Sequence, residues 1–149
     1  MSVPEARALC VNRFPTSPNR SALFDELEKL LAFLRSINFQ CEVWIDGSYT
    51  CEKEEPDDID LSVSFWVSDA EKLDPAIFSD IMNRLNGGHQ FSVGLDTYLC
   101  PRFDRTDPRR AADLTDYWVE KWGKGRDNWL KGLIVIGVDE TDVQRRLIA

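Results

Sequence analysis

From Asp58 to Val67 the chain alternates without interruption. Ile59, Leu61, Val63, Phe65 and Val67 fall on one parity, and Asp58, Asp60, Ser62, Ser64 and Trp66 on the other. A period of two marks a strand with one buried face and one open face, so this stretch commits the fold to a sheet with helices on one side. It also sets two carboxylates, Asp58 and Asp60, side by side on the open face. Acids that close repel each other unless a positive group lies between them. A divalent cation is the usual partner, because hard oxygen ligands suit Mg²⁺. Nine residues separate Asp58 from the turn Asp46-Gly47-Ser48, whose backbone N–H groups and hydroxyl suit a phosphate.

The rest of the chain reads as alternating helices and strands. Residues 1–20 carry Pro4, Pro15 and Pro18 and read as an extended lead-in. Ser21 is read as the N-cap of a helix reaching about residue 37, with Leu23, Leu27, Leu30, Leu34 and Ile37 as its apolar stripe. Residues 41–45 form a short strand with Cys41, Val43 and Ile45 on one face. Asp74-Pro75 opens a second helix with Phe78, Ile81, Met82 and Leu85 inward, closed by Asn86-Gly87-Gly88. Residues 90–100 read as a strand that sets Phe91, Val93, Leu95 and Leu99 opposite Ser92, Gly94, Asp96 and Tyr98. Asp107-Pro108 opens a third helix to about residue 122, and residues 133–138 form an apolar, central or well-covered strand. The tail, 140–149, reads as a short helical turn.

With 149 residues, the chain is expected to form one domain, 1–149. The fold class is α/β (α+β), a small mixed sheet of four to five strands with helices packed on one face. The first residues lack the basic start and apolar run of a signal peptide, and no apolar run approaches membrane-spanning length, so a cytoplasmic protein is expected. Four scattered cysteines and a single histidine, His89, do not make a zinc motif. His89 follows Gly87-Gly88 and reads as a structural turn residue. A net charge of −8 disfavours binding of long nucleic acid, which needs Lys and Arg on its phosphates. A small anionic ligand is compatible with that charge if a bound cation inverts the local field.

Asp58, Asp60 and Asp96 together have the donors for two Mg²⁺ ions about 3.5–4 Å apart. One ion would acidify an attacking hydroxyl and the other would neutralise a pyrophosphate leaving group. Gly47 would admit the phosphate to the backbone, and Ser48 would donate a hydrogen bond to it. The competing roles are simple ones: a solvated strand end for Asp58 and Asp60, pairing with Arg102 for Asp96, and turn stabilisation for Asp46. Trp118 and Trp122, four apart, read as core. Trp66 is the better stacking surface for a base.

Gly47-Ser48, the Asp58-Ile59-Asp60 strand and the later strand residue Asp96 resemble the DNA polymerase beta-like nucleotidyltransferase superfamily. Trp44-Ile45-Asp46-Gly47-Ser48-Tyr49-Thr50, Pro56-Asp57-Asp58-Ile59-Asp60, Arg126-Asp127 and Lys131-Gly132 resemble a small, little-characterised bacterial and phage branch of it. The resemblance implies a catalytic metal site at Asp58, Asp60 and Asp96. It also implies transfer of a nucleoside monophosphate from a nucleoside triphosphate to a hydroxyl on a protein, an RNA or a small molecule. Antitoxin-type relatives carry basic residues soon after Gly-Ser, whereas residues 49–55 here are acidic apart from Lys53. Phosphate counter-charges must then come from elsewhere; Lys53, Arg102, Arg105, Arg126 and Lys131 are candidates, and Arg126 and Lys131 are preferred. The alternative reading is a catalytically weak or inactive module of the same fold, acting through a protein partner in a toxin–antitoxin or phage–host conflict.

Overall fold

A computed structural model of the chain describes residues 1–46, 49–50, 55–112 and 133–138. Its centre is a mixed four-stranded sheet of β1 (Glu42–Asp46), β2 (Ile59–Trp66), β3 (Leu95–Arg102) and β4 (Ile134–Gly137). The strand order is β3-β2-β1-β4. β1 runs antiparallel to both β2 and β4, and β2 runs parallel to β3. The expected small mixed α/β sheet is what forms. The last strand lies at an edge among the described residues, not in the centre: its apolar run packs Ile134 and Ile136 into the core with one neighbouring strand, β1.

The alternation in β2 sorts its side chains as expected. Ile59, Leu61, Val63 and Phe65 join Val43 and Ile45 of β1 and Leu95 and Leu99 of β3 in the main core. Helix α2 (Pro18–Ser36) supplies Leu23, Leu27, Leu30 and Leu34 to that core, with Phe24 and Leu31 widening the stripe. Helix α4 (Pro75–Leu85) adds Ile81 and Leu85, while Met82 is exposed. Asp74 caps α4 by accepting from the Ala76 N–H at 2.8 Å. A short helical turn, α3 (Val67–Ala70), links β2 to α4.

Two expectations about the first 20 residues are corrected. The chain there is helical, with α1 (Val3–Arg7) followed by a π-helical turn at Ala8–Asn12. Ser2 and Glu5 cap each other's backbone reciprocally, and Pro4 occupies the first turn, where its missing N–H costs nothing. The cap of α2 is Ser17, four residues before Ser21, because Pro18 is preset for the first helical position. Ala6 and Cys10 from this segment are buried in the core.

The strand expected over 90–100 starts late, at Leu95. Ser92 Oγ accepts from the Gly94 N–H at 3.3 Å and Ser92 O accepts from the Leu95 N–H at 3.2 Å, so the chain turns instead of extending. Val93 is consequently 89% exposed rather than inward. A Cβ at Gly94 would lie 2.8 Å from Leu23 Cδ2 of α2, so the end of the Leu23 side chain would have to shift to admit it. The helix expected from Asp107-Pro108 begins as a 3₁₀ turn at Pro108–Ala112. Its continuation, with Trp118 and Trp122, and the tail 140–149 lie outside the described residues.

Candidate functional site

The sheet register brings the acids together. Asp46 of β1 lies directly across from Asp60 of β2, and Asp60 directly across from Asp96 of β3. All three occupy the face opposite the core, in one row across three strands. Asp58, two residues before Asp60, stands next to them. The row sits where β1 ends and β2 and β3 begin, about 20 Å along the strands from Trp66 and Arg102.

Three observations describe the electrostatics of this row. Asp46 is only 3% exposed. The Asp60 carboxyl is pushed up to about 6, first by burial, then by the charges of Asp58, Asp96 and Asp46, and by its hydrogen bond with Asp96. Asp96 Oδ1 is buried with no donor reaching it, while its Oδ2 accepts from the Tyr98 hydroxyl at 3.1 Å. A hydrogen bond between two carboxylates exists only when a proton sits between them, and the raised Asp60 carboxyl holds that proton. Without that proton the Asp60–Asp96 pair calls for a cation. Burial and the bond to Asp96 also raise the Tyr98 phenol, which keeps it a donor.

His89 completes the acidic centre. Its Nε2 is 3.5 Å from Asp58 Oδ2, and Asp58, His89 and Asp96 each place one ligand atom within 4.8 Å of the other two. The position follows from the turn after α4. Gly87 and Gly88 take φ values of +98° and +76°, which side-chain-bearing residues avoid. The Gly87 N–H donates to Thr97 O at 2.9 Å and the Thr97 N–H donates to Gly88 O at 3.0 Å. That pair of bonds pins the turn to the outer edge of β3, next to Asp96. The reading of His89 as a turn residue alone is therefore too narrow. The two adjacent glycines were the available signal, since they let the chain double back along a strand.

The acids' neighbours are positioned by a buried cation. Arg20 of α2 is fully buried and donates from Nη1 to Cys10 O at 3.0 Å and to Tyr49 O at 2.9 Å. Tyr49 returns a hydroxyl bond to Arg20 O at 2.9 Å. The guanidinium lies 3.7 Å from the Phe14 ring centre and 5.1 Å from that of Tyr49. These contacts tie the N-terminal segment to Tyr49, which follows Gly47-Ser48 in sequence. On the other flank, the Asn19 amide donates to Pro56 O and holds the approach to Asp58.

A hollow of about 510 Å³ opens beside this junction, lined by Arg13, Phe14, Tyr49, Thr50 and Ile134 among others. Cys10, Tyr49 and Ile134 of its lining belong to the main core, so the hollow opens on the core side of the sheet and not on the face that carries the acid row. Arg13 supplies a basic side chain there, 34 residues before the Gly-Ser turn in sequence. A second hollow, about 550 Å³, lies on the core side between α3, α4 and the far end of β3. It is apolar, with the Arg109–Glu71 ion pair at its rim, and holds none of the acids.

The register sets Asp58, Asp60 and Asp96 at one end of the sheet, but among the described residues the ligand atoms that all lie within 4.8 Å of one another belong to Asp58, His89 and Asp96, without Asp60. Gly47, Ser48, Lys53, Arg126 and Lys131 lie outside the described residues. Arg102 does not pair with Asp96; it lies 4.6 Å over the Trp66 ring at the opposite end of β3. That stacking also covers a face of Trp66 that a base would need. Ser62 and Ser64, expected on an open face, are buried, because Ser62 is flanked across the sheet by Trp44 and Tyr98. Asp60 and Asp96 at one end of the face and Trp66 and Arg102 at the other are half-buried, with the middle of β2 covered.

Among the described residues no helix is long and apolar enough to cross a membrane. Comparison with curated proteins and with solved structures gives no match. Residues 5–137 match a family of unknown function, DUF6932, a span that takes in every acid of the row and the Gly-Ser turn. The chain belongs to the DUF6932 family.

Proposed function

We propose that the chain is a divalent-metal-dependent nucleotidyltransferase that moves a nucleoside monophosphate from a nucleoside triphosphate to a hydroxyl acceptor. The observation that carries this reading is the row Asp46–Asp60–Asp96 with Asp58 beside it, in which one carboxyl is pushed up to about 6. A folded chain that crowds four acids at one end of a sheet loses stability unless the crowd serves a cation. The donor set fits: Asp58, Asp60 and Asp96 supply carboxylate oxygens, and the buried Asp96 Oδ1 has no other partner. A bound Mg²⁺ supplies Lewis acidity and charge neutralisation at a phosphate.

The chain's own residues do the positioning. Tyr98 fixes one oxygen of Asp96 so that the other faces Asp60. Arg20 and Tyr49 hold the chain that leaves Gly47-Ser48, where a backbone N–H and a hydroxyl meet the phosphate. Arg126 and Lys131 are the residues proposed to supply the counter-charge absent from residues 49–55. Such a site works by orientation and charge more than by covalent chemistry. A cytoplasmic setting, where triphosphates and Mg²⁺ are abundant, is part of the same proposal.

Incubation with each α-labelled nucleoside triphosphate and with protein, RNA and small hydroxyl acceptors tests it. Label transfer is expected, falling at least about 100-fold in Asp60→Asn and Asp96→Asn, by analogy with the removal of other groups that stabilise charge in a transition state. Absence of transfer from all triphosphates to all acceptors, with folded protein, overturns it. Triphosphate binding without transfer would instead identify a non-catalytic module acting through a protein partner.

A further inference from the structure

The geometry points to His89 as a nitrogen ligand in this centre, so that the Asp58–His89–Asp96 group takes a first-row transition ion of the Mn²⁺ or Zn²⁺ class in preference to Mg²⁺. This rests on reading the acids as a metal centre, and it adds a ligand and an ion class to that reading.

The argument is one of donor chemistry and placement. Mg²⁺ sites are built from oxygen and keep their water, whereas an imidazole among carboxylates favours transition ions. The ligand atoms of Asp58, His89 and Asp96 lie within 4.8 Å of one another, a span that closes on one small cation by side-chain rotation. The two residues before His89, Gly87 and Gly88, are pinned to β3 through Thr97, which brings the exposed His89 side chain to that edge of the sheet. Its contact with Asp58, at 3.5 Å, uses one ring nitrogen and leaves the ring close to Asp96. Asp96 contributes the buried oxygen that no donor reaches. Asp46 and Asp60 lie in register with Asp96 across the sheet, but the converging ligand atoms are those of Asp58, His89 and Asp96.

The chain contains a single histidine, which makes the test unambiguous in an untagged protein. Mn²⁺ is titrated into the full chain, affinity is read by electron paramagnetic resonance, and ¹⁴N couplings are read by pulsed methods. The expected result is an imidazole nitrogen coupling on bound Mn²⁺, absent in His89→Gln. Mn²⁺ affinity should drop about tenfold or more in that variant while Mg²⁺ affinity changes less than about twofold. Bound Mn²⁺ without nitrogen coupling in the wild-type chain overturns the assignment, as does a failure to bind Mn²⁺ at all. The wild-type spectrum decides the matter even if His89→Gln folds poorly. Nitrogen coupling without label transfer would leave this assignment standing and remove the proposed activity. Transfer supported by Mg²⁺, with no nitrogen coupling, would do the reverse.

Discussion

At the scale of single residues, Asp60 carries the most information. Its carboxyl holds its proton up to about pH 6 in the folded chain, because burial and three neighbouring acids penalise the charge. A raised carboxyl binds more protons in the folded than in the unfolded state between about pH 4 and 6, so metal-free stability falls as pH rises through that window. Above it the strain is present in full. Asp60→Asn should therefore stabilise the metal-free protein at pH 7.5, by about 1–2 kcal/mol after allowing for solvent screening. It should also flatten the pH 4–6 slope; urea titrations across pH in chelator measure both. An unchanged slope would mean that Asp60 is not strained. The acid pair at 58 and 60 was legible in the sequence because strand parity decides which side chains share a face. Asp96 was legible for the same reason, although five residues of its expected strand proved to be a turn. Asp46 was visible but was assigned to its turn, because strand register cannot be read from one strand alone. His89 was legible only in part: the two glycines before it signal a reversal, but its place depends on backbone bonds between Gly87, Gly88 and Thr97, which are long-range.

At the scale of elements, the site depends on how helices meet the sheet ends. Arg20 links the π-helical turn, α2 and the chain after Gly-Ser through two carbonyl bonds. Arg20→Met would leave the Cys10 and Tyr49 carbonyls without that donor, at a cost of about 3 kcal/mol on the scale of bonds to charged groups. Guanidinium denaturation checks the stability, and nucleotide affinity should weaken in parallel; a variant as stable as the wild type would contradict this role. Gly94→Ala would press a methyl on the end of the Leu23 side chain, which must rotate or shift to admit it, costing about 1 kcal/mol. Thermal unfolding reads that loss, and Leu23→Ala in the same chain should relieve part of it. The helical N-terminus was legible in principle, since Ser2 and Glu5 have capping-box spacing and Pro4 and Pro18 suit first turns. Prolines taken as breakers hid it.

At the scale of the whole molecule, a chain of net charge −8 concentrates four acids at one sheet end and places arginines elsewhere. Binding of a divalent ion should then stabilise the native state by about 2.7 kcal/mol at a hundredfold excess over Kd, or about 5–10 °C in Tm for a domain of this size. NaCl at matched ionic strength should not reproduce the shift, because screening acts on exposed charges and the row is partly buried. The rise should vanish in Asp60→Asn and Asp96→Asn; a rise that persists there would place the ion elsewhere. The central claim is tested most directly by a crystal structure with Mn²⁺ and a non-hydrolysable nucleoside triphosphate, read from the anomalous difference map. The expected result is a peak bounded by the carboxylates of Asp58, Asp60 and Asp96, with the triphosphate reaching from it to Gly47-Ser48. A map with no peak among those carboxylates, or with the nucleotide bound away from that end of the sheet, would contradict the account.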